Sequence, residues 1–240
     1  MKRKVYGFAF VAVVVFLLVP VCTANDKAPL IAKQEGYTLS LELKFSRKNP
    51  NSMQRALSLL DWGPNGFATG FLVGDGLVMT AYHVVSGDLS APKKVVLGFS
   101  PKDQLEVEVF INGCQATVVK VDKDSDLALL HVCRSQKRAQ APDFQESLSK
   151  DEKVLLIARP RGNKMIREGI FYGTYMIRSQ EYWSVKIEGH DGYSGSPVYN
   201  DRAELVGVFS GFDGSKKLGV ISPAIKAQKL LEDYMSSPRP

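Results

Sequence analysis

Short apolar runs joined by turn residues dominate this chain. Tyr37–Phe45 alternates apolar and polar positions, the period of a strand with one buried face. Arg47–Asn51 interrupts it. Met53, Ala56, Leu57 and Leu60 then recur at helical spacing and predict a short helix over Ser52–Leu60. After the turn cluster Gly63-Pro64-Asn65-Gly66 the rhythm becomes strand, turn, strand. Ala68–Val73 and Leu77–Thr80 flank Gly74-Asp75-Gly76, a hairpin signal. Lys94–Phe99, Leu105–Ile111, Gln115–Val121 and Leu127–Val132 continue the series. The stretch 136–150 is polar and without period, and reads as a linker. Beyond it lie Lys153–Ala158, Gly169–Arg178, Tyr182–Ile187, Pro197–Tyr199, Glu204–Ser210 and Leu218–Ile221. Ile225, Leu230, Leu231 and Tyr234 predict a C-terminal helix opened by the pair Ser222-Pro223. Many short strands and one late helix predict an all-β fold, sandwich or barrel, in two sets: residues 25–135 and residues 151–240.

The N-terminus departs from this rhythm. Lys2, Arg3 and Lys4 precede an apolar run over Val5–Val21, then Cys22-Thr23-Ala24. A basic start, an apolar middle and a small-residue exit make residues 1–24 a secretory signal, cleaved after Ala24. The run is slightly short of the ~20 residues a membrane span needs, so an uncleaved anchor is the alternative. Bulky Val21, where lipoprotein signals carry a small residue, argues against a lipid on Cys22. The segment 25–36 is polar and reads as loop.

Composition narrows the function classes. Of 240 residues, 45% are hydrophobic and 23% charged, as in an ordinary globular protein. The basic excess, 31 against 25 acidic residues, loses three lysines and arginines with the signal. The remaining charges are interspersed, with no basic cluster and interleaved aromatics, so a nucleic-acid partner is not expected. The sequence carries no signal for oligomeric state, and membrane association is expected only through an uncleaved N-terminal segment.

Removing the signal leaves Cys114 and Cys133, which with three scattered histidines form no zinc cluster; no metal or cofactor is expected. If the strands ending at Val121 and beginning at Leu127 pair symmetrically about Lys123 and Asp124, Cys114 faces Cys133. Opposed positions on antiparallel strands lie within disulfide reach. A Cys114–Cys133 bond is therefore expected in an exported protein, with two reduced thiols as the alternative.

The candidate chemistry centres on Gly192-Tyr193-Ser194-Gly195-Ser196-Pro197-Val198, a serine between glycines. In isolation this is also what a tight turn looks like. A serine hydroxyl needs an imidazole to take its proton and a carboxylate to orient that imidazole. His83 follows the apolar strand that ends in Thr80-Ala81, a placement that suits a site. His131 lies inside an apolar strand, and His190 lies in the tight loop before Ser194. Of Asp122, Asp124 and Asp126, only Asp126 is anchored at the mouth of the buried run Leu127–Leu130; the others read as turn residues.

Thr80-Ala81-Tyr82-His83-Val84-Val85, Asp126-Leu127-Ala128-Leu129-Leu130 and the Ser194 motif occur in that order. Together they resemble the trypsin/chymotrypsin-like serine proteases, most closely the bacterial branch that includes the HtrA/Deg proteases. The resemblance runs from about Phe67 to the C-terminal helix. It implies two six-stranded antiparallel β-barrels with the site between them. It implies Ser194 as nucleophile, His83 as general base and then acid, Asp126 as the group that holds the imidazole, and the N–H groups of Gly192 and Ser194 as an oxyanion hole. It places Glu188 at the base of a substrate pocket walled by Ser210, Gly211 and Phe212, with Gly219 opposite. An inward Glu188 would favour Lys or Arg at the cleavage position, whereas an inward Phe212 would restrict it to small residues. Two departures stand out. Tyr193 replaces the aspartate that digestive and clotting enzymes pair with a new N-terminus, so no activation of that kind is expected. Ser196 stands where glycine is usual. No PDZ-sized segment follows the helix.

The expectation is an exported serine endopeptidase, secreted or periplasmic, acting on polypeptide substrates through an acyl-enzyme. The alternative is a protease-fold chaperone or peptide-binding module with weak or no catalysis.

Overall fold

The computed structural model describes residues 32, 34–58, 64–133 and 140–237. The signal segment 1–24, the end of the helix expected over Ser52–Leu60 and the first residues of the linker lie outside them. Twelve strands form two closed six-stranded barrels. In the first, β1 (Thr38–Arg47), β2 (Gly66–Gly74), β3 (Leu77–Ala81), β6 (Leu127–His131), β5 (Cys114–Asp122) and β4 (Leu105–Ile111) are neighbours in that order, and β4 closes on β1. In the second the order is β10 (Pro197–Tyr199), β11 (Leu205–Asp213), β12 (Leu218–Pro223), β9 (Gln180–Val185), β8 (Met165–Ile177) and β7 (Lys153–Ala158), and β7 closes on β10. All of these pairings are antiparallel. Helices among the described residues include α1 (Ser52–Ser58), α2 (Tyr82–Val85), α3 (Ala91–Val96) and α4 (Ala224–Met235).

The barrel packing explains the sequence pattern. In β1, Leu41, Leu43 and Phe45 face the first barrel's interior and the residues between them are less buried, so the strand alternates. Strands β2, β3 and β6 are apolar at almost every position because both faces are covered. Leu72, Val78 and Leu130 fill the first barrel, while Phe71, Met79, Leu127 and Leu129 turn outward to a second core. That second core is shared: Ile157, Tyr199, Leu205 and Val208 of the other barrel join it, and α4 adds Ala224, Ala227, Leu230 and Leu231. The interior of the second barrel is a third cluster, with Leu156, Trp183, Val198, Phe209 and Ile221. The linker is not free of the barrels. Leu205 donates its N–H to Asp143 O at 2.7 Å and accepts the Gln145 N–H at 2.8 Å.

Four expectations need correction. Lys94–Phe99 is not a strand: Ala91–Val96 is a helix with Pro92 in its first turn, and none of its side chains is buried. Val95 and Val96 mimic strand apolarity without a core to face. Ala32 and Gln34–Tyr37, read as loop up to residue 36, are helical. Ser222 does not cap α4; it is buried within β12, its Oγ has no partner among the described residues, and the helix begins after Pro223 without a side-chain cap. The β5–β6 register also differs from the symmetric one. Asp122 faces Leu127, and an irregularity between Val118 and Lys120 shifts the pairing, so Thr117 faces His131. Cys133 then lies beyond the paired segment, and Cys114 reaches it obliquely. Their Cα atoms are 6.3 Å apart, a separation a disulfide spans.

Candidate active site

The two barrels meet where Ala81 leads into α2. A four-residue helix leaves its first N–H groups without internal acceptors, and Ala81 offers no side-chain cap. Asp126, far along the chain, supplies both bonds. Its carbonyl accepts the Tyr82 N–H at 3.0 Å and its Oδ1 accepts the His83 N–H at 2.9 Å. Asp126 adopts φ +53, a left-handed conformation that Asp tolerates better than most residues. The same carboxylate reaches the imidazole, with Oδ2 2.8 Å and Oδ1 3.2 Å from His83 Nδ1. One side chain thus fixes both the helix start and the ring that the helix carries.

His83 Nε2 lies 2.7 Å from Ser194 Oγ. With its proton on Nδ1, the ring donates to Asp126 and accepts from the serine hydroxyl, the arrangement in which an imidazole can take that proton. Asp126 and His83 come from the first barrel, Ser194 from the second. His190, whose ring packs edge-on against Tyr193 at 5.3 Å, makes no bond to Ser194. Asp122, expected as a turn residue, is the last residue of β5, and its carboxylate accepts the N–H groups of Asp124 and Ser125 in the turn that follows.

The loop around Ser194 is shaped by close approach to the first barrel. Gly195 has φ +80, and a β-carbon there would collide with Thr80 Oγ1 and the Thr69 carbonyl. Gly192 has φ +87 and packs on Pro160. The Thr69 hydroxyl donates to the Gly192 carbonyl at 2.8 Å, and the Thr69 N–H donates to the Ser194 carbonyl at 2.9 Å. Neither the Gly192 N–H nor the Ser194 N–H meets an acceptor among the described residues. Tyr193 is 2% exposed, its ring against Phe209, and its hydroxyl has no partner among the described residues. Ser196 Oγ is equally buried and unpartnered.

The expected pocket residues separate. Glu188 is exposed and lines an outer hollow beside Lys186, Lys216 and Lys217. Gly211 pairs with Val220, and Phe212 with Gly219. Ser210 Oγ is buried without a partner among the described residues. A β-carbon on Gly189 would lie 2.5 Å from Phe212 Cβ and 3.3 Å from Phe209 Cζ, and one on Gly219 would lie 2.8 Å from Phe209 Cε2. The Phe209 ring therefore spans both glycines. Thr69 escaped sequence reading because its partners, Gly192 and Arg159, lie far away in the chain.

Comparison with known proteins places the fold and the family. The crystal structure of the Rv3671c protease from M. tuberculosis in its active form aligns with a TM-score of 0.62 and 18% identity, covering 99% of this chain and 96% of that one. The inactive form of a serine-to-alanine mutant of Rv3671c from M. tuberculosis aligns with a TM-score of 0.57 and 17% identity, covering 88% and 93%. At such identities the likeness concerns the fold. The sequence itself matches the family of the trypsin-like peptidase domain over residues 68–208, more than half of its length, and the protein belongs to that family.

Proposed function

We propose that this trypsin-like peptidase is an exported serine endopeptidase working through Ser194, His83 and Asp126. The observation that carries the reading is the unbroken relay from Ser194 Oγ to His83 Nε2, 2.7 Å, and from Nδ1 to Asp126 Oδ2, 2.8 Å. Ser194 Oγ attacks the scissile carbonyl carbon while its proton passes to Nε2. Asp126 stabilises the imidazolium, which then protonates the departing amine. A water repeats the sequence on the acyl-enzyme and frees Ser194. The unbonded N–H groups of Gly192 and Ser194 are the donors for the oxyanion, each worth ~3–4 kcal/mol of barrier.

The Phe209 ring beside Gly189 and Gly219, with Glu188 exposed away from it, supports cleavage after small residues rather than after Lys or Arg. A fluorophosphonate probe and a peptide-library cleavage profile test the proposal together. The wild type is expected to label, Ser194→Ala not to label, and cleavage to follow Ala, Gly or Ser. A wild type that never labels would leave the binding-module reading, and cleavage after Lys or Arg would return Glu188 to the pocket. Export through residues 1–24 rests on the basic, apolar and small-residue order of the N-terminus. N-terminal sequencing of the mature protein, expected to begin at Asn25, checks it.

A further inference from the structure

The loop that carries Ser194 takes a side-chain hydrogen bond from the opposite barrel, from Thr69. Thr69 is fully buried on β2. Its hydroxyl donates to the Gly192 carbonyl at 2.8 Å and accepts the Arg159 N–H at 3.0 Å. A threonine hydroxyl has one proton to donate, and the Arg159 N–H on its lone pair leaves that proton directed at Gly192. The Thr69 N–H holds the Ser194 carbonyl at 2.9 Å, and the Thr69 carbonyl accepts the Thr80 hydroxyl at 2.8 Å. The peptide between Gly192 and Tyr193 is pinned from its other side by the Tyr193 N–H on His190 O, 3.1 Å.

We infer that Thr69 is a positioning residue for the oxyanion donors: its hydroxyl anchors the Gly192–Tyr193 peptide, which lies between the peptides that carry the Gly192 and Ser194 N–H groups, and so holds both in place. This rests on the reading of Ser194 as nucleophile. Gly192, at φ +87, has no β-carbon to restrain the peptides on either side of it, so its orientation must be imposed from outside. Thr69 Oγ1 is the side-chain group that imposes it. A displacement of about 1 Å in a catalytic group can cost about 100-fold in rate, so the bond acts on turnover rather than on substrate binding.

Thr69→Val keeps the shape and removes the donor; Thr69→Ser keeps the donor and trims a methyl. With a small-residue ester substrate, Val is expected to lower kcat about 10- to 100-fold while KM changes little, and to slow fluorophosphonate labelling in step. Ser is expected to restore kcat. A merely structural bond would instead lower the melting temperature and leave kcat intact. A folded Val variant with wild-type kcat, a loss confined to KM, or a Ser variant as slow as Val overturns the inference. Should Val not fold, Ser against Thr69→Cys makes the same comparison, because a thiol is a weak donor of nearly the same size; equal kcat values for that pair overturn it. Failure of the wild type to label rejects the nucleophile reading and this inference with it. A labelling wild type with an unaffected Val variant rejects Thr69 alone.

Discussion

Ser196 is the residue beside the nucleophile that fits its surroundings least. Its N–H donates to Tyr193 O at 2.9 Å and its carbonyl accepts the Phe209 N–H at 2.8 Å, so the backbone is satisfied. Its hydroxyl is buried with no partner among the described residues. An unpaired buried donor costs about 1–3 kcal/mol in desolvation. Ser196→Ala removes the hydroxyl without altering the backbone and is expected to raise stability by about 1 kcal/mol. The midpoint of urea unfolding reads this directly, and an unchanged or lower midpoint would mean that the hydroxyl finds a partner in solution. Tyr193 poses the same problem in a larger side chain, but its ring also packs between His190 and Phe209 and belongs to the second barrel's core. A carboxylate at that position would be buried among apolar groups without a cation.

The turn between β5 and β6 is the element that joins the base to the rest of the protein. Tyr182, on β9 of the other barrel, donates its hydroxyl to the Asp124 carbonyl at 2.9 Å. Burial, and then the nearby charges of Asp126, Asp122 and Asp124, push the Tyr182 phenol up to about 12. The unfolded value is about 10. The folded state therefore holds its proton longer, so this contribution to stability is whole below pH ~10 and is lost as pH rises toward ~12. Burial pushes Tyr199 up as well, so the wild type alone does not isolate the effect. Tyr182→Phe is expected to cost about 1 kcal/mol at neutral pH and to lose less stability than the wild type across the alkaline window. Denaturation curves at a series of pH values make the comparison, and parallel losses in both proteins would contradict it. At this scale the limits of sequence reading are also clear. Alternation made β1 legible, and continuous apolar runs marked β2, β3 and β6 as buried on both faces. The order of His83, Asp126 and Ser194 pointed to residues that the fold brings within hydrogen-bond distance. Val95 and Val96 misled because apolarity reports burial only where a core exists to receive it. The β5–β6 register was misjudged because the turn centres between Asp124 and Ser125, pairing Asp122 with Leu127, and the irregularity farther along takes back only part of that offset. Thr69 was invisible because its role arises from contacts across the barrel boundary, and Phe209 because spacing does not show that its ring meets Gly189 and Gly219 inside the second barrel.

At the scale of the whole molecule the question is whether the barrels are separable. His83 and Asp126 belong to one and Ser194 to the other, so the site exists only while both are docked. The docking surface is not a thin polar contact. Phe71, Met79, Leu127 and Leu129 of the first barrel and Ile157, Leu205 and Val208 of the second form one buried cluster, which α4 seals with Leu230 and Leu231. A barrel that unfolded alone would expose its half of that cluster and the helix face together, so neither is expected to melt independently. Leu230→Ala, which leaves a void in this shared core, is expected to destabilise the protein by about 2–5 kcal/mol. Because the void weakens both barrels, the variant should still unfold in one transition. Loss of Ser194 labelling, which needs both barrels, should coincide along a urea gradient with the fluorescence change of Trp183 in the second barrel, read in a Trp62→Phe background because the chain has two tryptophans. Labelling that disappears well before the Trp183 signal would show the first barrel undocking on its own, and the shared core would then be too weak to couple the two halves of the site.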